Sequence, residues 1–165
     1  MNLIVMGVCG CGKTTVGRAL AEHLSWRFLD ADDFHPPENV AKMRAGTPLS
    51  DEDRWPWLDR LHDELVAIGA RGGHAVLACS ALKHSYRKRL ARDSDVRFVY
   101  LKGDRNTIAA RLAQRQHEYM PSSLLDSQFA TLEEPEDAIV MEVDLPVPAQ
   151  VAGIASAIAA TPAGR

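Results

Sequence analysis

Eight consecutive residues, Gly7-Val8-Cys9-Gly10-Cys11-Gly12-Lys13-Thr14, fit the pattern G-x-x-x-x-G-K-[ST] and directly follow the apolar run Leu3-Ile4-Val5-Met6. A chain with this feature must place a strand, a tight glycine-rich turn and a helix in immediate succession, so that several backbone N–H groups curl inward around a phosphate. Gly7, Gly10 and Gly12 permit that curl because they lack a Cβ, while Val8, Cys9 and Cys11 complete it. Lys13 is placed to neutralise the β- and γ-oxygens of a nucleoside triphosphate, and Thr14 to hold Mg²⁺ through its hydroxyl. From Thr15 to Leu24 apolar residues recur at helical spacing, so the loop opens a helix whose N-terminal dipole also attracts the anion. The expected ligands are ATP and Mg²⁺. Cys11 stands at this helix N-terminus beside Lys13, and both favour a thiolate, which predicts a reactive thiol that ATP shields.

A length of 165 residues suits a single domain spanning 1–165, and 46% hydrophobic content is enough for a buried core. There is no run of eighteen apolar residues, and Asn2 to Gly7 lacks a basic leader region, so neither a membrane partner nor secretion is expected and the cytoplasm is the default location. Three cysteines, two of them inside the loop, make neither a disulfide framework nor a metal site. A net charge of −3 with scattered basic residues argues against a nucleic-acid partner and for a small-molecule substrate.

Further strand-like runs are Trp26–Leu29, Ala75–Cys79, Val96–Leu101 and Ala138–Val143, with helical patterns between them. This alternation predicts an α/β fold of three layers, a mostly parallel five-stranded sheet with helices on both faces. Between the second and third runs lies a longer segment, about 33–72, that reads as an insertion of two helical stretches. The first follows His35-Pro36-Pro37; the second follows Asp51-Glu52-Asp53, with Pro56 in its first turn, and ends at Gly72-Gly73. A closing helix is expected from Pro148 to Ala160.

The loop does not identify the group that receives the phosphoryl. No Asn-Lys-x-Asp or Asp-x-x-Gly string of a GTP switch occurs, and the third strand is followed by neutral Cys79-Ser80-Ala81-Leu82 rather than paired acids. The acids come earlier, at Asp30, Asp32 and Asp33, at the carboxyl end of the second strand. Ligands of open α/β sheets bind at that edge, so the acids should face the loop, where a carboxylate can steer Mg²⁺ waters or accept a hydroxyl proton. The competing reading is a solvated turn with Asp33 as a helix cap.

Three stretches taken together resemble the gluconokinase family: Met6 to Thr15, Asp30-Ala31-Asp32-Asp33-Phe34-His35-Pro36, and Lys42-Met43-Arg44-Ala45-Gly46-Thr47-Pro48-Leu49-Ser50-Asp51-Glu52-Asp53-Arg54-Trp55-Pro56-Trp57-Leu58. Cys79 to Arg87, Arg111 to Pro121 and Leu124 to Glu133 continue the likeness, which spans about 2–142. Cys9 and Cys11 stand where serine is common in relatives. The resemblance implies a P-loop NTPase fold and phosphorylation of D-gluconate at its 6-hydroxyl, with ATP and Mg²⁺. It implies a catalytic Lys13, an acid at Asp32 to deprotonate the hydroxyl, and Asp30 working through the Mg²⁺ water shell, either acid being exchangeable with Asp33. His35 beside the acids is a candidate substrate contact. Arg54, Lys83 and Arg87 are candidate readers of the substrate carboxylate. Arg111 and Arg115, in a lid at about 111–125, would close over the triphosphate, Arg115 stabilising the transferred group. A homodimer is common in relatives and is carried over as an expectation. The alternatives are a kinase for shikimate or a nucleoside monophosphate, or a non-enzymatic nucleotide-binding regulator; three glycines would be expected after the third strand of a shikimate kinase, where this chain has Cys79-Ser80-Ala81.

Overall fold

A computed structural model describes residues 1–114 and 122–161. Five strands, β1 (Asn2–Met6), β2 (Arg27–Asp30), β3 (Ala75–Ala78), β4 (Val96–Lys102) and β5 (Ala138–Glu142), form one sheet in the order β2-β3-β1-β4-β5, with every neighbouring pair parallel. Parallel neighbours need crossovers, and helices supply them. They are α1 (Lys13–Leu24), α2 (Pro37–Arg44), α3 (Asp51–Ala70), α4 (His84–Ala91), α5 (Arg105–Ala113), α6 (Ser122–Thr131) and α7 (Val147–Ala160).

The sheet is covered on both faces, which is why its central strand reads as a continuous apolar run rather than an alternation. Leu3 and Val5 project into a layer with Val16 and Leu20 of α1, Ile108 of α5 and Ile154 of α7. Ile4 and Met6 project into the opposite layer with Leu58, Leu61 and Leu65 of α3 and Leu90 of α4. The strand starts one residue earlier than its apolar run because Asn2 is buried but satisfied: its amide donates to the Leu65 carbonyl at 3.1 Å and accepts from the Ala75 N–H at 2.8 Å.

Local chemistry corrects two sequence-based boundaries. Trp26 was expected in β2, yet its N–H closes α1 on the Ala21 carbonyl, with Ser25 in the left-handed region at φ 56°, so the strand begins at Arg27. Helix α3 begins at Asp51 rather than after Asp53, because Ser50 and Asp53 form a capping box: the Asp53 N–H donates to Ser50 Oγ at 3.1 Å and the Ser50 N–H to Asp53 Oδ2 at 2.9 Å. Asp51, Glu52 and Asp53 therefore occupy the first turn, where carboxylates suit the dipole, and Pro56 falls inside the helix. The helix ends where Gly72 and Gly73 were read, with the Gly73 N–H returning to the Ile68 carbonyl at 3.0 Å.

Helix α3 is not peripheral: it forms much of the second covering layer. What stands beyond that layer is α2 and the loop to Ser50, fastened to α3 by Lys42 on the Asp53 carboxylate at 2.8 Å and by the Asn39 amide on the Asp53 carbonyl at 2.9 Å. No helix among the described residues is long and apolar enough to cross a membrane.

Lys42 and the Ser50 N–H hold the Asp53 carboxyl down, from 3.8 to about 2. A depressed carboxyl contributes stability that is present above its unfolded value and lost as pH falls through the folded one. Thermal melts of the wild type between pH 4 and pH 2 are expected to show a declining Tm, and Asp53→Asn to show a lower Tm at neutral pH with a shallower decline. Parallel wild-type and variant curves would exclude this contribution.

Candidate active site

The loop after β1, the turn after β2 and the start of the β3–α4 connection meet at the carboxyl edge of the sheet around a cleft of about 330 Å³. Lys13, Thr14, Asp30, Asp32, Trp57 and Gln128 are among the residues lining it. The loop curls as its pattern requires. Gly10 sits at φ 83°, where a Cβ would lie 2.8 Å from the Leu112 side chain, and Gly12 at φ 98° precedes α1 without a side-chain cap. The first amides of α1 therefore stay available to an anion, with Thr14 and Thr15 exposed at their start. The Val8 carbonyl accepts from the Cys11 N–H at 3.2 Å and from Lys13 Nζ at 3.1 Å, which folds the lysine back over its own loop. Gly7 donates to the Ser80 carbonyl at 3.3 Å and so joins the loop to the β3 connection.

The Cys11 thiol does not behave as its position suggested. Cys11 is fully buried, and burial raises its pKa in spite of the opposing pull of Lys13, so desolvation defeats the helix terminus and the thiol stays protonated. Cys79 is likewise pushed up to about 12 by burial. None of the three cysteines is in a disulfide.

Of the three acids, Asp30 rather than Asp33 is the cap. Its Oδ1 accepts the Asp32 N–H at 3.0 Å, opening the 3₁₀ turn Ala31–Phe34, while its Oδ2 lies 3.5 Å from Thr14 Oγ1. Two hard oxygen donors this close fit Mg²⁺, which keeps most of its waters and takes few protein ligands. Asp32 opens into the cleft, and its pKa is raised by desolvation and by Asp30, with Lys13 opposing and Asp33 adding a smaller push. Asp33 is exposed in the same turn. His35 stacks on Trp57 with centroids 4.1 Å apart, and Trp57 Nε1 donates to the Ala31 carbonyl at 2.8 Å. Burial and the nearby Arg54 lower the His35 pKa, so it is a neutral group flanking the acids.

The candidate cations part company. Arg54 and Lys83 converge on Asp51 and Tyr86: the Tyr86 hydroxyl donates to Asp51 at 2.5 Å, Lys83 Nζ lies 3.2 Å from the same oxygen, and Arg54 Nη1 donates to the Tyr86 oxygen at 3.3 Å. Tyr86 and Lys83 together hold the Asp51 carboxyl below its usual range. Arg87 departs from the expected role. It is buried, and its guanidinium donates to the carbonyls of Ala81, Leu82 and Glu133 at 2.8, 3.1 and 2.7 Å. Ala81 explains why, since its φ of 44° is a left-handed conformation that a Cβ disfavours by roughly 1–2 kcal/mol, and the fork braces that turn. Arg111 donates to the Val143 carbonyl at the end of β5. Arg115, with the lid residues 115–121, lies outside the described residues.

The family model described as shikimate kinase matches residues 9–144. A probable gluconokinase of Xenopus tropicalis is 46% identical over 163 residues, covering 87% of this chain and 86% of that protein, and a gluconokinase of Gluconobacter oxydans is 51% identical over 136 residues, covering 82% and 76%. The crystal structure of a gluconokinase from Sinorhizobium meliloti superimposes with a TM-score of 0.83 at 40% identity, covering 94% of this chain and 92% of that one. The chain belongs to the gluconokinase family. Its fold is the parallel three-layer α/β arrangement that the alternation of strands and helices anticipated, and the P-loop kinase fold that the resemblance implied.

Three residues in these networks were given no role in the sequence. Asp51 and Tyr86 tie Arg54 and Lys83 together, and Gln128 of α6 accepts the Cys9 N–H at 2.6 Å. Asp51 was hidden as a helix-start residue. Gln128 carries no local signal, because its partner is 119 residues away.

Iodoacetamide at neutral pH is expected to leave Cys11 unlabelled in the folded apoprotein for as long as it takes to label the denatured chain fully, read by peptide mass spectrometry. Rapid labelling of Cys11 without MgATP would restore the thiolate reading.

Proposed function

We propose that the protein transfers the γ-phosphoryl group of ATP to the 6-hydroxyl of D-gluconate, giving ADP and 6-phospho-D-gluconate. The observation that carries this reading is the meeting of a phosphate loop with Asp30 and Asp32 in one cleft, in a chain whose relatives are gluconokinases. Asp32 takes the hydroxyl proton as the oxygen forms its bond to the γ-phosphorus and the bond from that phosphorus to the bridging oxygen of ADP breaks. A carboxylate with a raised pKa is the better base for this, provided the working pH keeps it ionised. Lys13 and the open amides of α1 stabilise charge on the transferred group from fixed positions. Mg²⁺, held through Thr14 and Asp30, would neutralise charge on the β- and γ-oxygens.

Arg54 and Lys83 read the gluconate carboxylate in this proposal, with Arg87 holding the turn that presents Lys83 rather than touching substrate. Arg111 would turn from Val143 towards the nucleotide, and Arg115 would close over the triphosphate with the lid. His35, packed on Trp57, lies on the acceptor side of the acids. The protein works in the cytoplasm, where ATP and a free aldonate meet.

A coupled ADP-release assay with gluconate, glucose, shikimate, nucleoside monophosphates and no acceptor tests the assignment. Turnover with gluconate at least ten times that with any other acceptor is expected; equal turnover on shikimate, or release of ADP only without acceptor, overturns it.

Asp32→Asn keeps the shape of the side chain and loses the base, so kcat is expected to fall about 10²-fold or more while nucleotide affinity stays. In the wild type, activity rises with pH as Asp32 loses its proton, and that rise lies above the ordinary carboxylate range. A near-normal kcat in Asp32→Asn, with Asp30→Asn or Asp33→Asn dead, assigns the proton transfer to the neighbour.

A further inference from the structure

Helix α6 and the residues just after it touch the phosphate loop and the segment before Lys83. At one point the Gln128 side chain accepts the Cys9 N–H at 2.6 Å, and Gln128 lines the cleft with Lys13 and Asp32. The Gln128 main-chain carbonyl accepts the Leu132 N–H at 2.9 Å, which carries the helical bonding one residue past the end of α6. The next residue, Glu133, donates its N–H to the Leu82 carbonyl at 2.9 Å and accepts from Arg87 through its own carbonyl at 2.7 Å. Leu82 precedes Lys83, the cation paired with Asp51. From Gln128 to Leu132 is about 6 Å of helical rise, and Glu133, just beyond the helix, is pinned to the neighbouring segment through its N–H on Leu82 and its carbonyl on Arg87.

We infer that Gln128 is a positioning residue that couples the two substrate sites: its amide oxygen fixes the phosphate loop at Cys9, and α6 transmits that contact to the segment presenting Lys83. The inference rests on the reading of Lys83 as an acceptor-side cation. A carboxylate that orders Lys83 draws on the Leu82–Glu133 link, α6 settles with it, and the loop is held in one shape before the nucleotide arrives. The same free energy then appears in reverse, with nucleotide tightening gluconate, because coupling between two sites is reciprocal. Two further contacts limit how α6 can move: the Arg105–Asp126 ion pair binds it to α5, and Leu112 of α5 packs against the loop at Gly10.

The test is calorimetric titration of a non-hydrolysable ATP analogue with Mg²⁺, with and without saturating gluconate, on wild type, Gln128→Leu and Gln128→Glu. Gluconate is expected to tighten analogue binding at least about fivefold in the wild type, the lower end of ordinary coupling. In Gln128→Leu, which has no acceptor for the Cys9 N–H, the ratio is expected to fall within twofold of one. Gln128→Glu retains an acceptor oxygen but adds a negative charge beside the phosphates, so analogue binding weakens in both conditions while the ratio survives. A merely structural role would weaken binding in Gln128→Leu equally with and without gluconate and leave the ratio intact, which overturns the inference. Should Gln128→Leu fail to fold, Gln128→Asn, one methylene too short to reach, is expected to show the same loss of ratio. A wild-type ratio near one with gluconate turnover intact overturns the coupling alone; absence of gluconate turnover overturns the acceptor reading and the coupling with it.

Discussion

The whole site hangs on a strand that has no solvent face. All five residues of β1 are buried, and its side chains alternate between the two helical layers, so neither layer can shift without disturbing the other. The phosphate loop leaves the end of that strand, and the next hydrogen-bonded element is α1, packed against α7 and β3. A loop that leaves a fully buried strand and enters a helix packed against the sheet can hold its N–H groups in one arrangement before any anion arrives. That pre-organisation is what electrostatic catalysis of phosphoryl transfer requires, since reorienting dipoles during the reaction would cost part of the stabilisation they give.

The acids depend on the same frame. β2 pairs with β3, which pairs with β1, so Asp30 at the end of β2 reaches Thr14 across two strand spacings. Capping of the short turn by Asp30 then sets Asp32 facing the cleft. Two neighbouring carboxylates would be expected to share a proton at neutral pH if buried, yet Lys13 opposes the shift of Asp32 and Asp32 is exposed. The turn thus sets a carboxylate of raised pKa beside the Asp30–Thr14 pair proposed above to hold a divalent cation.

How much of this was legible in the sequence depended on how far each feature's partners lie along the chain. The phosphate loop, the strand sequence and the glycine end of α3 rest on contacts within a few residues, and all could be read directly. The start of α3 was misread by three residues because Ser50 was not recognised as the partner of Asp53, although the capping box is itself local. Cys11 shows the opposite kind of error: the local electrostatics were read correctly, but the burial that outweighs them comes from distant elements. Arg87 looked like a substrate cation because a sequence shows charge and not the carbonyls it braces, one of which lies 46 residues away. Gln128 could not be assigned at all, since nothing near it in the chain hints at Cys9.

The cluster of Arg54, Lys83, Asp51 and Tyr86 shows why such distant partners matter for charge and not only for packing. Arg54 and Lys83 alone would be two like charges facing the same space, free to swing into water and costly to order around a substrate. Asp51 and the Tyr86 hydroxyl hold them instead in a connected network with one net positive charge, one carboxylate against two cations. Arg87 fixes the turn before Lys83, and the capping box fixes the turn that carries Asp51 and Arg54. On the reading proposed above, a monoanionic substrate would bring the charge that balances this network, and a neutral sugar would leave it unbalanced. Selectivity on that basis comes from the surplus charge that Asp51 leaves, and not from the cations taken singly.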